Sequence, residues 1–370
     1  MMAGDVMTSE FERLRVGLIG ANGRWGPIAH IPAIQNLPET ELYAVCTAHE
    51  ETAQAASEKY GVELFYADDT VMNENPQVEA VSVAVRVPAH YELTKNAIES
   101  GKHVFCEWPL GANLEEAQQL AYLARKWKVH TMVGLQRRAS PTYLRLKELV
   151  EEGYVGEILS VNLQQLGGGV LTRTSDRTWQ KDVELGANTL TIGFGHAIDA
   201  LCMIVGEITE VSGKVDTQIT QWYETDTQQW VDVTAPDNVM VSGLVESGAV
   251  FNANVGVHPY HGSGYRMEIY GRDGTLVVLG TGQGRLKILG GRKDDQELRE
   301  ISIPDRLTWV PDKVQIAGPA YDVGQMWVNF ARSIRQGDVS EPGFDHAVRR
   351  HMLLDAVQRA SDTGQRQQLN

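Results

Sequence analysis

Two stretches hold residues whose types and spacing could do chemistry. The first is Gly20-Ala21-Asn22-Gly23-Arg24-Trp25-Gly26, placed between an apolar run, Leu14 to Gly20, and a helix opened by Pro27. Glycines after a buried strand let the backbone approach a diphosphate at a helix N-terminus, where free N–H groups and the dipole favour negative charge. The usual G-x-G-x-x-G pattern has Asn22 at its middle glycine, with Gly23 one place later. Asparagine tolerates left-handed backbone angles, so the departure is mild. About 20 residues after such a turn an acid normally holds the adenosine ribose. Thr47 stands there instead, followed by Ala48 and His49. With no carboxylate to repel a 2′-phosphate, and Arg24 or His49 able to attract one, the expected cofactor is NAD(P), tilted toward NADP. The other reading leaves Thr47 as a strand end and gives the acid to Glu50 or Glu51.

The second stretch is Val104-Phe105-Cys106-Glu107-Trp108-Pro109, a short apolar strand running into an acid and a proline. Further on, Gln136-Arg137-Arg138 could offer charge to a substrate carboxylate or phosphate, although an ion pair across a domain junction is the commoner fate of one such arginine. Arg173, Arg177 and Trp179 lie in a glycine-rich segment, Gly167 to Gly186, which could close over a ligand and pack an aromatic ring on a sugar face. His196 can take a proton near neutral pH. His258, Tyr260 and His261 could face a pocket or a subunit interface.

The elements that position these residues emerge from patterning. Strand-like runs alternate with helix-like segments through Val133, which predicts a doubly wound parallel sheet whose ligands sit beyond the strand carboxyl ends. The later part contains runs such as Ile208 to Thr217, Val239 to Leu244 and Ala249 to Val257, separated by turns, and ends in two helices at Tyr321 to Arg335 and Phe344 to Ala360. The expected class is therefore α/β. A Rossmann dinucleotide-binding domain at 1–138 precedes an α+β substrate and oligomerisation domain at 139–370, with an open, mainly antiparallel sheet. An open sheet face predicts a homodimer or homotetramer.

At 370 residues the chain suits two domains. A net charge of −15 excludes a general nucleic-acid or anionic-membrane surface. Cys46, Cys106 and Cys202 have no metal-type spacing and read as buried thiols of a reducing compartment, so no metal site is expected. No apolar run approaches ~18 residues and no secretory leader is visible, so a cytoplasmic protein is expected.

The chain resembles the glucose–fructose oxidoreductase, inositol dehydrogenase and MocA (Gfo/Idh/MocA) family. The resemblance rests on Ala97 to Val104 leading into Glu107-Trp108-Pro109, Val133-Gly134-Leu135-Gln136-Arg137-Arg138, Gly153-Tyr154-Val155-Gly156 and Gly195-His196-Ala197-Ile198-Asp199. It implies hydride transfer between a nicotinamide and a sugar, sugar acid or cyclic polyol. It places Arg86, His90, Glu107, Trp108 and Gln136 beside the cofactor, and makes His196 the acid/base. The family's lysine is Trp108 here and its aspartate is Ile192, so Trp108 becomes a candidate for the catalytic position, either covering a ring or plugging the space. These departures resemble the Gal80-like subgroup, which implies as an alternative a dinucleotide-binding regulator with a protein partner; a third reading is a redox-neutral lyase or hydrolase that uses transient oxidation and recycles the cofactor.

Overall fold

The computed structural model describes residues 12–280, 286–315 and 318–369. Six strands, Leu14–Ile19 (β1), Thr40–Cys46 (β2), Leu64–Tyr66 (β3), Ala80–Val83 (β4), His103–Cys106 (β5) and Thr131–Val133 (β6), form a parallel sheet in the order β3-β2-β1-β4-β5-β6. The order reverses between β1 and β4, which is the switch point where such sheets bind ligands. Every residue of β4 is buried, as a strand covered on both faces must be. The crossover helices are Ile31–Asn36 (α1), Glu50–Tyr60 (α2), Asp69–Glu74 (α3), His90–Glu99 (α4) and Leu114–Trp127 (α5). Asn113 caps α5 by accepting from the Glu116 N–H at 3.0 Å. The Glu116 carboxylate returns to the Ala112 N–H at 2.7 Å, one residue before the position a capping box would use.

The second part opens with Pro141–Glu151 (α6), Ile158–Gly167 (β7) and Thr172–Arg173 (β8), then Gly195–Val205 (α7), Ile208–Asp216 (β9), Gln221–Glu224 (β10) and Gln229–Asp232 (β11). It continues through Asn238–Val245 (β12), Val250–Val257 (β13), Gly264–Gly271 (β14), Gly274–Gly280 (β15), Lys287–Arg292 (β16) and Arg299–Ile301 (β17). Asp312–Gln315 (α8), Ala320–Gln336 (α9), Phe344–Thr363 (α10) and Gln367–Gln368 (β18) complete the chain. Nine strands make one sheet, β17-β16-β15-β14-β7-β13-β12-β9-β18, in which only β7 and β13 run parallel. A small sheet, β11-β10-β8, stands apart. The α/β class with a mainly antiparallel second sheet is as expected.

Three expectations change. The glycine-rich segment from Gly167 to Gly186 holds β8 and two short 3-10 turns, Ser175–Lys181 and Val183–Leu185. Val183–Val205 has the length and composition of a membrane span, which the sequence reading denied to every run. Most of that stretch is buried inside the molecule, as core segments are. Finally, the first domain is not closed by its own residues. Trp327, Phe330 and Met326 of α9 share a core with β1, α1, Phe105 and Met132, while Phe344, Leu353 and Val357 of α10 join the core shared by the Rossmann sheet and α7.

Candidate functional site at the domain junction

The turn after β1 needs its glycines for space. Gly20 adopts φ +100°, and a Cβ there would lie 2.4 Å from the Ala84 carbonyl oxygen. A Cβ on Gly26 would lie 2.7 Å from the Gly20 oxygen. The Gly23 N–H donates to that same oxygen at 2.9 Å. The left-handed position is Gly20 and not Asn22, so asparagine is accepted because nothing there demands a positive φ. Helical backbone starts at Gly26. Among the described residues the buried Trp25 Nε1 and Gln136 Oε1 find no hydrogen-bond partner, so the site holds polar capacity that these residues leave unused.

Cations gather at this turn. Arg24 is exposed and lies near enough to Arg173 and Arg177 for their charges to repel. Burial first, then Arg177 and Arg24, pull Arg173 down to about 10. Arg86 donates to the Asp176 carbonyl at 2.7 Å and sits 5.5 Å from the Trp179 ring centroid. Segment 168–188 is thereby pinned onto the Rossmann side. After β2, the Thr47 hydroxyl is occupied by Thr52 at 2.6 Å and the His49 carbonyl at 2.9 Å, and His49 is exposed. The space-limited glycines, the orphaned polar atoms and the unneutralised arginines fit a dinucleotide with its diphosphate.

Glu107 ends a buried relay. The Trp327 indole N–H donates to His30 Nδ1 at 3.1 Å, which leaves His30 Nε2–H to donate to Glu107 Oε1 at 2.7 Å. An indole only donates, so the tautomer is set by its partner. The Glu107 carboxylate packs so closely on Gly134 that a Cβ there would lie 2.6 Å from Oε2. His90 is tied down by Nδ1 to the Pro109 carbonyl at 2.7 Å, and burial lowers its pKa. It holds the loop that comes after β5, so its place beside the cofactor is a supporting one.

Trp108 is 4% exposed, and its only polar hydrogen goes to the Thr191 carbonyl at 2.7 Å. Its ring lies 4.8 Å from His351 and leaves room for no side chain at Gly195, where a Cβ would meet Nε1 at 2.6 Å. This corrects its candidacy for catalysis and cofactor contact: an indole with its N–H spent and its ring packed is a plug. One turn away, His196 is half-buried, and neither ring nitrogen is hydrogen-bonded among the described residues. Burial first, then Arg137, push its pKa down to about 4, against the opposing pull of Glu107 and Asp199. The ring is neutral at physiological pH.

The adjacent arginines part ways. Arg138 Nε reaches both oxygens of buried Asp199, at 2.9 and 3.1 Å. Arg137 lines a cavity of about 660 Å³ together with Gln165, Arg173, Asn188, Ile192 and Trp222. Arg177 and Trp179 do not line it. They face the Arg24 and Arg86 side, which corrects their expected place against substrate, whereas Arg173, stacked 3.7 Å over Trp222, lines the cavity. His258 is half-buried at the end of β13, and Tyr260 and His261 are exposed. Sequence reading missed His30, Trp327, Gln165 and Trp222. Only His30 carried a signal, as a histidine in the helix leaving the glycine turn.

Comparisons with known proteins identify both domains. Residues 14–135 match the model of the oxidoreductase family with an NAD-binding Rossmann fold, and residues 141–280 match that of the Gal80p C-terminal domain. An uncharacterised oxidoreductase of Synechocystis is 27% identical over 94% of both chains. The galactose/lactose metabolism regulatory protein GAL80 of Saccharomyces cerevisiae is 28% identical over 78% of this chain and 68% of its own. The structure of a levoglucosan dehydrogenase complexed with NADH and levoglucosan superposes with a TM-score of 0.85 at 22% identity, over 97% of this chain and all of that one, and shows the same fold. Residues 14–135 are therefore an NAD-binding Rossmann domain of the Gfo/Idh/MocA oxidoreductase type, and residues 141–280 are a Gal80p-type C-terminal domain.

Proposed function

We propose that the protein is an NAD(P)-dependent oxidoreductase acting on a carbohydrate or cyclic polyol, with His196 as the acid/base. The observation that carries this reading is the neutral, unbonded ring of His196, close enough to Arg137 and Glu107 to feel both charges, with Arg137 lining a sugar-sized cavity. A bound nicotinamide dinucleotide would supply a hydride acceptor for a carbinol carbon, or a hydride donor for the corresponding carbonyl carbon. Gly20, Gly23 and Gly26 would admit its diphosphate, with Arg24, Arg86, Arg173 and Arg177 balancing the charge. Glu107, oriented by His30, would accept from ribose hydroxyls, and Gln136 would lie beside the nicotinamide. Thr47 in place of an acid, with Arg24 and His49 exposed, supports NADP over NAD. His196 takes the hydroxyl proton on one ring nitrogen, and Arg137 nearby favours the developing alkoxide electrostatically. Trp108 and Ile192 contribute shape and no proton. The outer sheet face, with Met240 and Val250 about half exposed, supports a homo-oligomer built on that surface.

The test is turnover followed at 340 nm with NAD⁺ and NADP⁺ over a panel of sugars, sugar acids and polyols. An absorbance change lost in His196→Ala supports the reading, and a flat trace across the panel ends it. Trp108 and Ile192, two apolar groups where the family has lysine and aspartate, favour a second reading as a dinucleotide-binding regulator. A stoichiometric complex with a protein partner, formed without turnover, would establish that one.

A further inference from the structure

The cavity is lined by two guanidinium groups, Arg137 and Arg173, and one carboxylate, Asp237. Asp237 is already saturated: it accepts from the backbone N–H groups of Gln218 and Ile219 and from the Asn238 amide at 2.6 Å. Arg137 is the unusual member. Its Nη2 donates to Gln165 Oε1 at 2.6 Å, its Nη1 is buried without an acceptor, and its Cζ lies 4.9 Å from the Tyr265 ring centroid and 5.9 Å from that of Tyr143. Among the described residues no carboxylate forms an ion pair with it. Asp322 and Asp199 attract it from beyond ion-pair distance, and Asp199 is engaged by Arg138, His346 and Arg350. The buried arginine of this region, Arg350, has two carboxylate partners.

A half-buried guanidinium held by aromatic rings and an amide, with one buried nitrogen unpaired and no carboxylate at ion-pair distance among the described residues, is costly unless a ligand completes it. The ligand group that matches a planar guanidinium is a carboxylate, which it can bind in two-pronged fashion. Gln165, Gln180 and Asn188 on the same wall offer neutral hydrogen bonds suited to hydroxyls, and Trp222 offers a ring face for C–H surface. We infer that the cavity takes a carboxylate-bearing sugar, with Arg137 closing the ion pair and thereby presenting a carbinol to His196. The inference rests on the oxidoreductase reading for the chemistry after binding, and not for binding itself.

The experiment is calorimetric titration of the full-length protein, with and without NADP⁺, using glucuronate, galacturonate and gluconate against their uncharged amides. Arg137 predicts that at least one carboxylate binds ~10–100-fold tighter than its amide, the range of a charged hydrogen bond gained in a buried site. That ratio collapses in Arg137→Gln and is partly kept in Arg137→Lys. Equal affinity of acids and amides, a ratio that survives Arg137→Gln, or no binding by any of the acids overturns the inference. The wild-type ratio stands even where a variant fails to fold. A carboxylate preference without dinucleotide reduction would reject the oxidoreductase reading alone, and turnover of neutral polyols without the preference would reject this inference alone.

Discussion

Arg137 and Arg138 are neighbours on one short turn, and their surroundings could hardly differ more. Arg138 enters a knot in which Asp199 gathers Arg138, His346 at 2.7 Å and Arg350 at 3.5 Å, with Glu207 bonding Arg350 from outside. Arg137 enters a cavity where its charge meets aromatic rings and a neutral amide. In the knot every charge is answered by the fold, so the group is spent on architecture. In the cavity the answer is missing, so the group is available. A charge in this molecule declares its role through what the fold leaves undone around it.

The comparison breaks most visibly at its centre. Asp199→Ala leaves Arg138 without its carboxylate, His346 without its acceptor and Arg350 with Glu207 alone, and should cost about 3–5 kcal/mol of stability, read by denaturant unfolding. A loss below ~1 kcal/mol would mean that the knot does not hold the junction. Next in size, His196→Ala should lower turnover ~10²–10⁴-fold while leaving the unfolding midpoint nearly in place. A variant that unfolds instead would move His196 to the architectural side.

A third prediction concerns pH. Burial pushes His103, His196 and His351 down to about 4 from an ordinary 6.5. Between those values the unfolded chain binds more protons than the folded one, so stability is fully present above about pH 6.5 and is lost as pH falls toward 4. Thermal melts across that window should show a falling midpoint, with part of the slope absent in His351→Phe; a level midpoint contradicts it. The smallest effect belongs to Trp108→Phe, which deletes the indole bond to Thr191 and should cost about 1 kcal/mol. If turnover fell instead, Trp108 would rejoin the site.

Much of the fold was legible because its strands are long or continuously apolar, as β1 and β13 are. Strands β10, β11, β16 and β17 were missed. They are short and partly polar, and Gln221-Trp222-Tyr223-Glu224 shows no run that separates it from a loop. The glycine turn was legible because its geometry is local. Arg137 and Arg138 could not be told apart, since one residue of spacing says nothing about which finds Asp199 61 residues later. The His30–Trp327 bond spans 297 residues and leaves no periodic trace. The segment Gly167 to Gly186 read as a lid for substrate, yet Arg86 holds it on the Rossmann side through the Asp176 carbonyl, which sequence cannot show.

That same Trp327 bond has a consequence for how the protein is made. The indole that orients His30, and through it Glu107, lies on α9, which also fills the outer core of the Rossmann sheet. A ribosome therefore releases the glycine turn and all six parallel strands long before the helix that seals them. The nascent first domain must wait, with Phe105, Met132 and the face of α1 uncovered, until residue 336 has cleared the exit tunnel. Expressed by itself, the segment 1–138 would be an unsealed sheet, and adding a peptide spanning 318–337 in trans is the natural way to rescue it.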